Sequence, residues 1–111
     1  MNLATLLSAM LAVESGGDDS ARGDGGRARG ALQIHRGVVE DVNRIAGTHY
    51  RHTDAHDRDT AMLMATVYLT HYCGTNSTPE TIARTWNGGP EGPRKRATLR
   101  YWQKVKTKLK K

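Results

Sequence analysis

Apolar and polar positions alternate along this chain with a helical period in five places. Leu3, Leu6, Leu7, Met10, Leu11 and Val13 fall near the i, i+3, i+4, i+7 spacing of one helical face. Asn2 can cap the start of that helix and Gly16-Gly17 can close it, because glycine takes the left-handed conformation without steric cost. Val38, Val42 and Ile45, with Val39 and Ala46, form a second stripe that stops at Gly47. Asp57 can cap a third helix running to about Tyr72, with Met62, Ala65, Leu69 and Tyr72 facing inward. A fourth starts at "STPETIARTW", where a Ser or Thr cap precedes Pro79 and Glu80, and ends in the glycine-rich "NGGPEGP". The fifth, over about residues 96–111, puts Leu99, Trp102, Val105 and Leu109 on one face and lysines on the others.

Between these helices the pattern lapses. "GGDDSARGDGGRARG" has six glycines and no apolar period, which predicts a loop. "RGALQIH" is short and half apolar, as in a strand or a tight extended stretch returning to the core. "THYRHTDAHD" is polar and loop-like, and Gly74 to Ser77 make a turn. The result is one mainly α domain over residues 1–111, with about five helices and a small irregular or β-rich lobe.

Composition narrows the core. The 111 residues include no Phe and are 37% apolar, so packing relies on Leu, Val, Ile, Met and Ala with two Trp and four Tyr. Cys73 is the single cysteine, which excludes an internal disulfide and reads as a small buried hydrophobe. The formal net charge is +6, with the positive residues concentrated after residue 93. That surplus suits an anionic partner, but a lysine-rich amphipathic helix is also a solvated face. Aromatics are too few beside the basic residues for stacking on bases, so no nucleic acid is expected. The apolar start has no basic lead and no small-residue cleavage site, and it is broken by Ser8; synthesis in the cytoplasm without an export signal is the expectation.

Chemistry gathers at "LAVESGG", residues 11–17. Glu14 sits on the last turn of the first helix, where the negative end of the helix and partly apolar surroundings would both raise its pKa. A carboxyl group so placed can serve as a general acid near neutral pH; the plainer reading is a surface glutamate before a cap. His49, His52 and His56 have the i, i+3, i+7 spacing of one helical face, but in a segment of weak helical character and without a cysteine beside them. Loop histidines are the better account, and neither metal nor cofactor is implied.

Four pieces occur in order: "ESGG", "GALQI", "ARTWNGGPEG" and "TLRYWQKV". Together they resemble the lysozyme-like superfamily over about residues 5–105. The first two are similar to the lytic transglycosylase and goose-type pattern, in which Glu-Ser-Gly precedes Gly-x-x-Gln; the last two resemble invertebrate-type lysozymes. Those enzymes are disulfide-rich, and this chain departs from them in having one cysteine.

The resemblance implies a lysozyme-like fold and a glycosidase acting on the β-1,4 bond between N-acetylmuramic acid and N-acetylglucosamine of peptidoglycan. It casts Glu14 as the general acid and Ser15, Gln33, Asn87, Gly88 and Tyr101 as substrate-binding. Trp86 can stack on a sugar or anchor the core. Asp24, ten residues after Glu14, is the candidate second carboxylate, with Asp18 and Asp19 as rivals. A lytic transglycosylase needs no such partner, because the substrate's own N-acetyl and 6-hydroxyl groups complete the reaction and leave anhydro products. A non-catalytic basic module for wall polymer or nucleic acid is the rival from another class. A monomeric phage-type endolysin, held on the anionic bacterial envelope by its basic C-terminus and acting on the wall after release, is the full expectation.

Overall fold

Each helix begins and ends where a specific residue satisfies its free backbone groups. In the computed structural model, which describes residues 1–110, the first helix is α1 (Leu3–Ser15). The Asn2 side chain accepts from the Thr5 amide at 2.8 Å, and Gly16 closes the helix at φ +69°. Then come β1 (Arg22–Gly23), a 3-10 turn over Asp24–Gly26, β2 (Ala28–Arg29) and α2 (Arg36–Ala46), which stops at Gly47 with φ +69°. A 3-10 turn at His52–His56 leads into α3 (Arg58–Tyr72), where the Asp57 carboxylate accepts from both the amide and the hydroxyl of Thr60. Thr78 caps α4 (Pro79–Gly88), and a 3-10 turn at Gly92–Arg94 precedes α5 (Ala97–Leu109). Lys111, the end of the expected basic helix, lies outside the described residues.

Among the described residues the fold is mainly α, with five helices and one small antiparallel sheet in which Arg22 pairs with Arg29 and Gly23 with Ala28. One apolar core draws on every helix: Leu6, Leu7 and Met10 of α1, Val39 and Val42 of α2, Met64 and Leu69 of α3, Ala83 and Trp86 of α4, Tyr101 and Val105 of α5. A radius of gyration of 12.8 Å is close to the ~13 Å of one domain of this length. Among the described residues no helix is long and apolar enough to cross a membrane.

The structure corrects the expected inward faces in places. On α5 the buried residues are Thr98, Tyr101 and Val105, while Leu99 is 39% exposed and Trp102 and Leu109 sit at the edge. A polar anchor sets this phase. The Thr98 hydroxyl reaches the Gly92 carbonyl at 2.7 Å and accepts from Arg84 Nε at 2.8 Å, so the next residue turns outward by about 100°. On α3 the inward set is Ala61, Met64, Ala65, Tyr68 and Leu69, with Met62 and Tyr72 only partly covered; on α2 Ala46 is exposed. Within "RGALQIH" only the two ends are extended. Gly30–Gln33 form a turn, closed by the Gln33 amide on the Gly30 carbonyl at 3.0 Å, and Ile34 bridges back to Arg29.

Candidate active site

The last turn of α1, the end of α4, the sheet and the start of α2 enclose a cleft of about 170 Å³. Glu14, Asp24, Gln33 and Asn87 supply its polar groups together with His35; Ala28, Val38 and Trp86 supply its apolar ones. Glu14 is brought there because α1 packs along α5 and ends at the Gly16 cap, which turns the chain away and leaves the carboxyl facing the cleft. Burial pushes the Glu14 carboxyl up from 4.5 to about 7. The Tyr101 hydroxyl and the Trp86 indole interact with it and pull the other way, and burial prevails. The Tyr101 hydroxyl is itself buried without a hydrogen bond of regular geometry, so its hold on Glu14 is loose. Burial, then the neighbouring Glu14 charge, raises the Tyr101 phenol well above its ordinary range, which keeps it a proton donor toward Glu14.

Gln33 has φ +54°, unusual for a residue with a side chain. Its Nε2 donates to the Gly30 carbonyl at 3.0 Å, and its Oε1 lies where a Cβ on Gly23 would be, so the amide is fixed between two glycines. Asp24 also has a left-handed backbone, at φ +51°. Its carboxylate lies 3.9 Å from Arg27 Nη1 and 3.8 Å from His35 Nε2, with 55% of the side chain exposed. Asn87 stands exposed on the last turn of α4, which extends through Asn87-Gly88 instead of ending before them. Trp86 is buried in the core, edge-on against Tyr68 with ring centroids 5.7 Å apart, and it also borders the cleft.

Other expected site residues lie elsewhere. The Ser15 hydroxyl donates to the Ala31 carbonyl at 2.8 Å and accepts from the amides of Gly17 and Asp18, so it is occupied in tying the end of α1 to the turn that carries Gln33. Ser15→Ala should therefore cost about 1–2 kcal/mol in urea unfolding; an unchanged midpoint would show the tie to be idle. Gly88 faces Thr98 and Lys95, whose Nζ donates to its carbonyl at 2.7 Å, and Tyr101 stands behind Glu14. Asp18 accepts from the amide and hydroxyl of Ser20, which lowers its pKa, and Asp19 pairs with Arg58 at 2.6 Å. Of the three aspartates considered, Asp24 alone lines the cleft.

The histidine spacing resolves into two separate backbone contacts. His52 Nε2 meets the Ile34 carbonyl at 2.7 Å and His56 Nδ1 the Asp19 carbonyl at 2.8 Å, while His49 is exposed. His35, absent from the candidates read in the sequence, is the residue that reasoning missed. No sequence pattern places it there, because Gln33 lies on a turn at φ +54° and the alternation of an extended strand does not hold between it and His35.

An acid still partly protonated at neutral pH, a second carboxylate, two side-chain amides and an indole edge are groups with which a cleft can grip a sugar and protonate its bridging oxygen. No family model matches the chain. A curated protein described as a lysozyme, from Magallana gigas, is 38% identical over 79 residues, which cover 68% of this chain and 56% of that protein. The chain thus spans little more than half the length of that relative. This similarity supports a lysozyme-like family.

Proposed function

We propose, from the premise of that likeness to a lysozyme, that this chain is a peptidoglycan-degrading glycosidase cleaving the β-1,4 bond between N-acetylmuramic acid and N-acetylglucosamine. The observation that carries the reading is Glu14, burial-raised to about 7 at the wall of the cleft. It donates its proton to the leaving glycosidic oxygen as the C–O bond breaks. Water then adds to the sugar carbon and returns a proton to Glu14. Asp24 faces the same space and serves the oxocarbenium-like state by charge, by attack or by orienting that water. Gln33 and Asn87 offer amides to N-acetyl groups, and Trp86 with Val38 offers an apolar surface to a ring.

One observation favours a second reading. The Asp24 carboxylate is more than half exposed and is shared between Arg27 and His35, which suits a lytic transglycosylase that needs only Glu14, first as acid and then as base. Mass spectrometry of the soluble products from purified peptidoglycan decides: hydrolytic reducing ends support the muramidase, and anhydro ends the transglycosylase. No products would leave a binding module.

The proton must be on Glu14 at the start of the reaction. Cleavage is therefore expected to fall about tenfold per pH unit as the pH rises above about 7, at constant ionic strength. A rate level from pH 6 to 9 would remove Glu14 as the donor.

The setting is part of the same proposal. Cys73 is the single cysteine, so the fold does not depend on an oxidising compartment, and the exposed Lys104, Lys106, Lys108 and Lys110 of the C-terminal segment hold the protein to an anionic envelope. This is the character of an endolysin released onto the wall by a membrane lesion. Produced in a bacterial cytoplasm, the protein should accumulate without lysis until the membrane is permeabilised, and lysis should then weaken with salt. Lysis before permeabilisation would refute the released-enzyme setting.

A further inference from the structure

Beside the cleft lies a larger hollow of about 540 Å³ that the proposed reaction does not use. Arg29, Arg36 and Arg51 line it with His52, against a single carboxylate, Glu40. Among the described residues none of these three arginines forms an ion pair; Arg22, Arg96 and Arg100 are unpaired too but do not line the hollow, and Arg27, Arg44, Arg58, Arg84 and Arg94 are all paired. Three guanidinium groups left unpaired around one concavity are a site for an anion. Two of the elements are held in place: Arg29 Nε donates to the Gly26 carbonyl at 2.9 Å, and His52 is fixed on Ile34. Arg36 opens α2, whose first turn has no side-chain cap, so its free amides add to the positive field.

The hollow neighbours the cleft through shared lining residues. An intervening depression of about 380 Å³ is lined by His35, which also borders the cleft, and by Arg29, Arg36 and His52, which also border the hollow. In peptidoglycan the muramic acid carries a peptide with free carboxylates, and this peptide has to leave any cleft that grips the glycan. We propose that the hollow formed by Arg29, Arg36 and Arg51 binds the carboxylates of the stem peptide, making this protein a reader of peptide-bearing glycan. The inference rests on the glycan-cleaving reading for its substrate, and its test separates the two.

The probe is a soluble stem tetrapeptide with free carboxylates, titrated by NMR into the wild type and into the double variant Arg36→Gln/Arg51→Gln. Both side chains are exposed and neither forms an ion pair among the described residues, so the variant should fold as the wild type does, which its spectrum reports. Saturable shifts at the hollow are expected, at least about tenfold weaker in the variant and for the fully amidated peptide. On peptide-bearing strands the variant should raise KM about tenfold with kcat unchanged, and on strands stripped of peptide it should match the wild type. Equal binding by the variant, or inorganic phosphate displacing the peptide at concentrations below the peptide's own Kd, would overturn the proposal, the latter in favour of a wall phosphodiester site. Peptide bound at the hollow without glycan cleavage would support this site while refuting the enzymatic reading; glycan cleavage without peptide binding would do the reverse.

Discussion

Glu14→Gln should abolish glycan cleavage, lowering kcat by about 10²- to 10⁴-fold, while leaving a folded protein that is more stable than the wild type at pH 8. The first half follows from chemistry, since an amide of the same shape fills the site and has no proton to give. The second follows from linkage. The folded-state pKa of Glu14 is raised from 4.5 to about 7, so between those values the folded chain binds more protons than the unfolded one and stability falls as the pH rises. The contribution is whole below about pH 4.5 and is lost by the time the pH has passed about 7, a difference on the order of 3 kcal/mol. The neutral glutamine does not incur that cost. Denaturant titrations at pH 4 and pH 8 should show the two proteins alike at the lower pH and the variant ahead at the higher. A variant that keeps activity within tenfold of the wild type would show that Glu14 is not the proton donor, and one that gains no stability at pH 8 would show that it is not a buried acid.

The helix end that presents Glu14 is readable in "LAVESGG" because its causes are local. Asn2, Gly16, Gly47 and Asp57 act on amides and carbonyls within four residues of themselves, so the ends of α1 and α2 and the start of α3 are visible in the sequence. The phase of α5 is not, because a buried threonine sets it from Arg84 and Gly92 and an apolar pattern cannot register that. The role of Ser15 is hidden for a similar reason: its partner is the Ala31 carbonyl, sixteen residues away and on a turn that reads as a strand. The place of Glu14 follows from the sequence. Its raised pKa comes from burial, against the opposing pull of Tyr101 and Trp86, which stand on helices more than seventy residues further along. Only the resemblance favours Asp24 over Asp18 and Asp19 in the sequence; what separates them physically is that Ser20 and Arg58 occupy the other two.

Gly30→Ala should destabilise the fold by at least about 3 kcal/mol, seen as a fall of roughly 10–20 °C in Tm. Two effects combine at this position. Gly30 has φ +79°, a conformation that costs a residue with a Cβ about 1–2 kcal/mol. The added carbon would also overlap the Ala55 carbonyl, and that is backbone. Ala55 cannot easily withdraw, because it lies in the His52–His56 turn, held on one side by His52 against Ile34 and on the other by His56 against Asp19. Gly25→Ala is the control, since φ is +66° there and no atom lies within 4 Å of the new carbon, so only the backbone cost of about 1 kcal/mol remains. If the two variants were equally mild, the close approach of the Gly30 turn to the His52–His56 turn would not be what holds this lobe together. If Gly30→Ala is much the worse, the reach of the effect can be followed into the site: the Gly30 carbonyl accepts both the amide and the side chain of Gln33. Whatever fraction of the variant still folds should bind glycan more weakly than Gly25→Ala, because the amide that faces the cleft has lost its anchor.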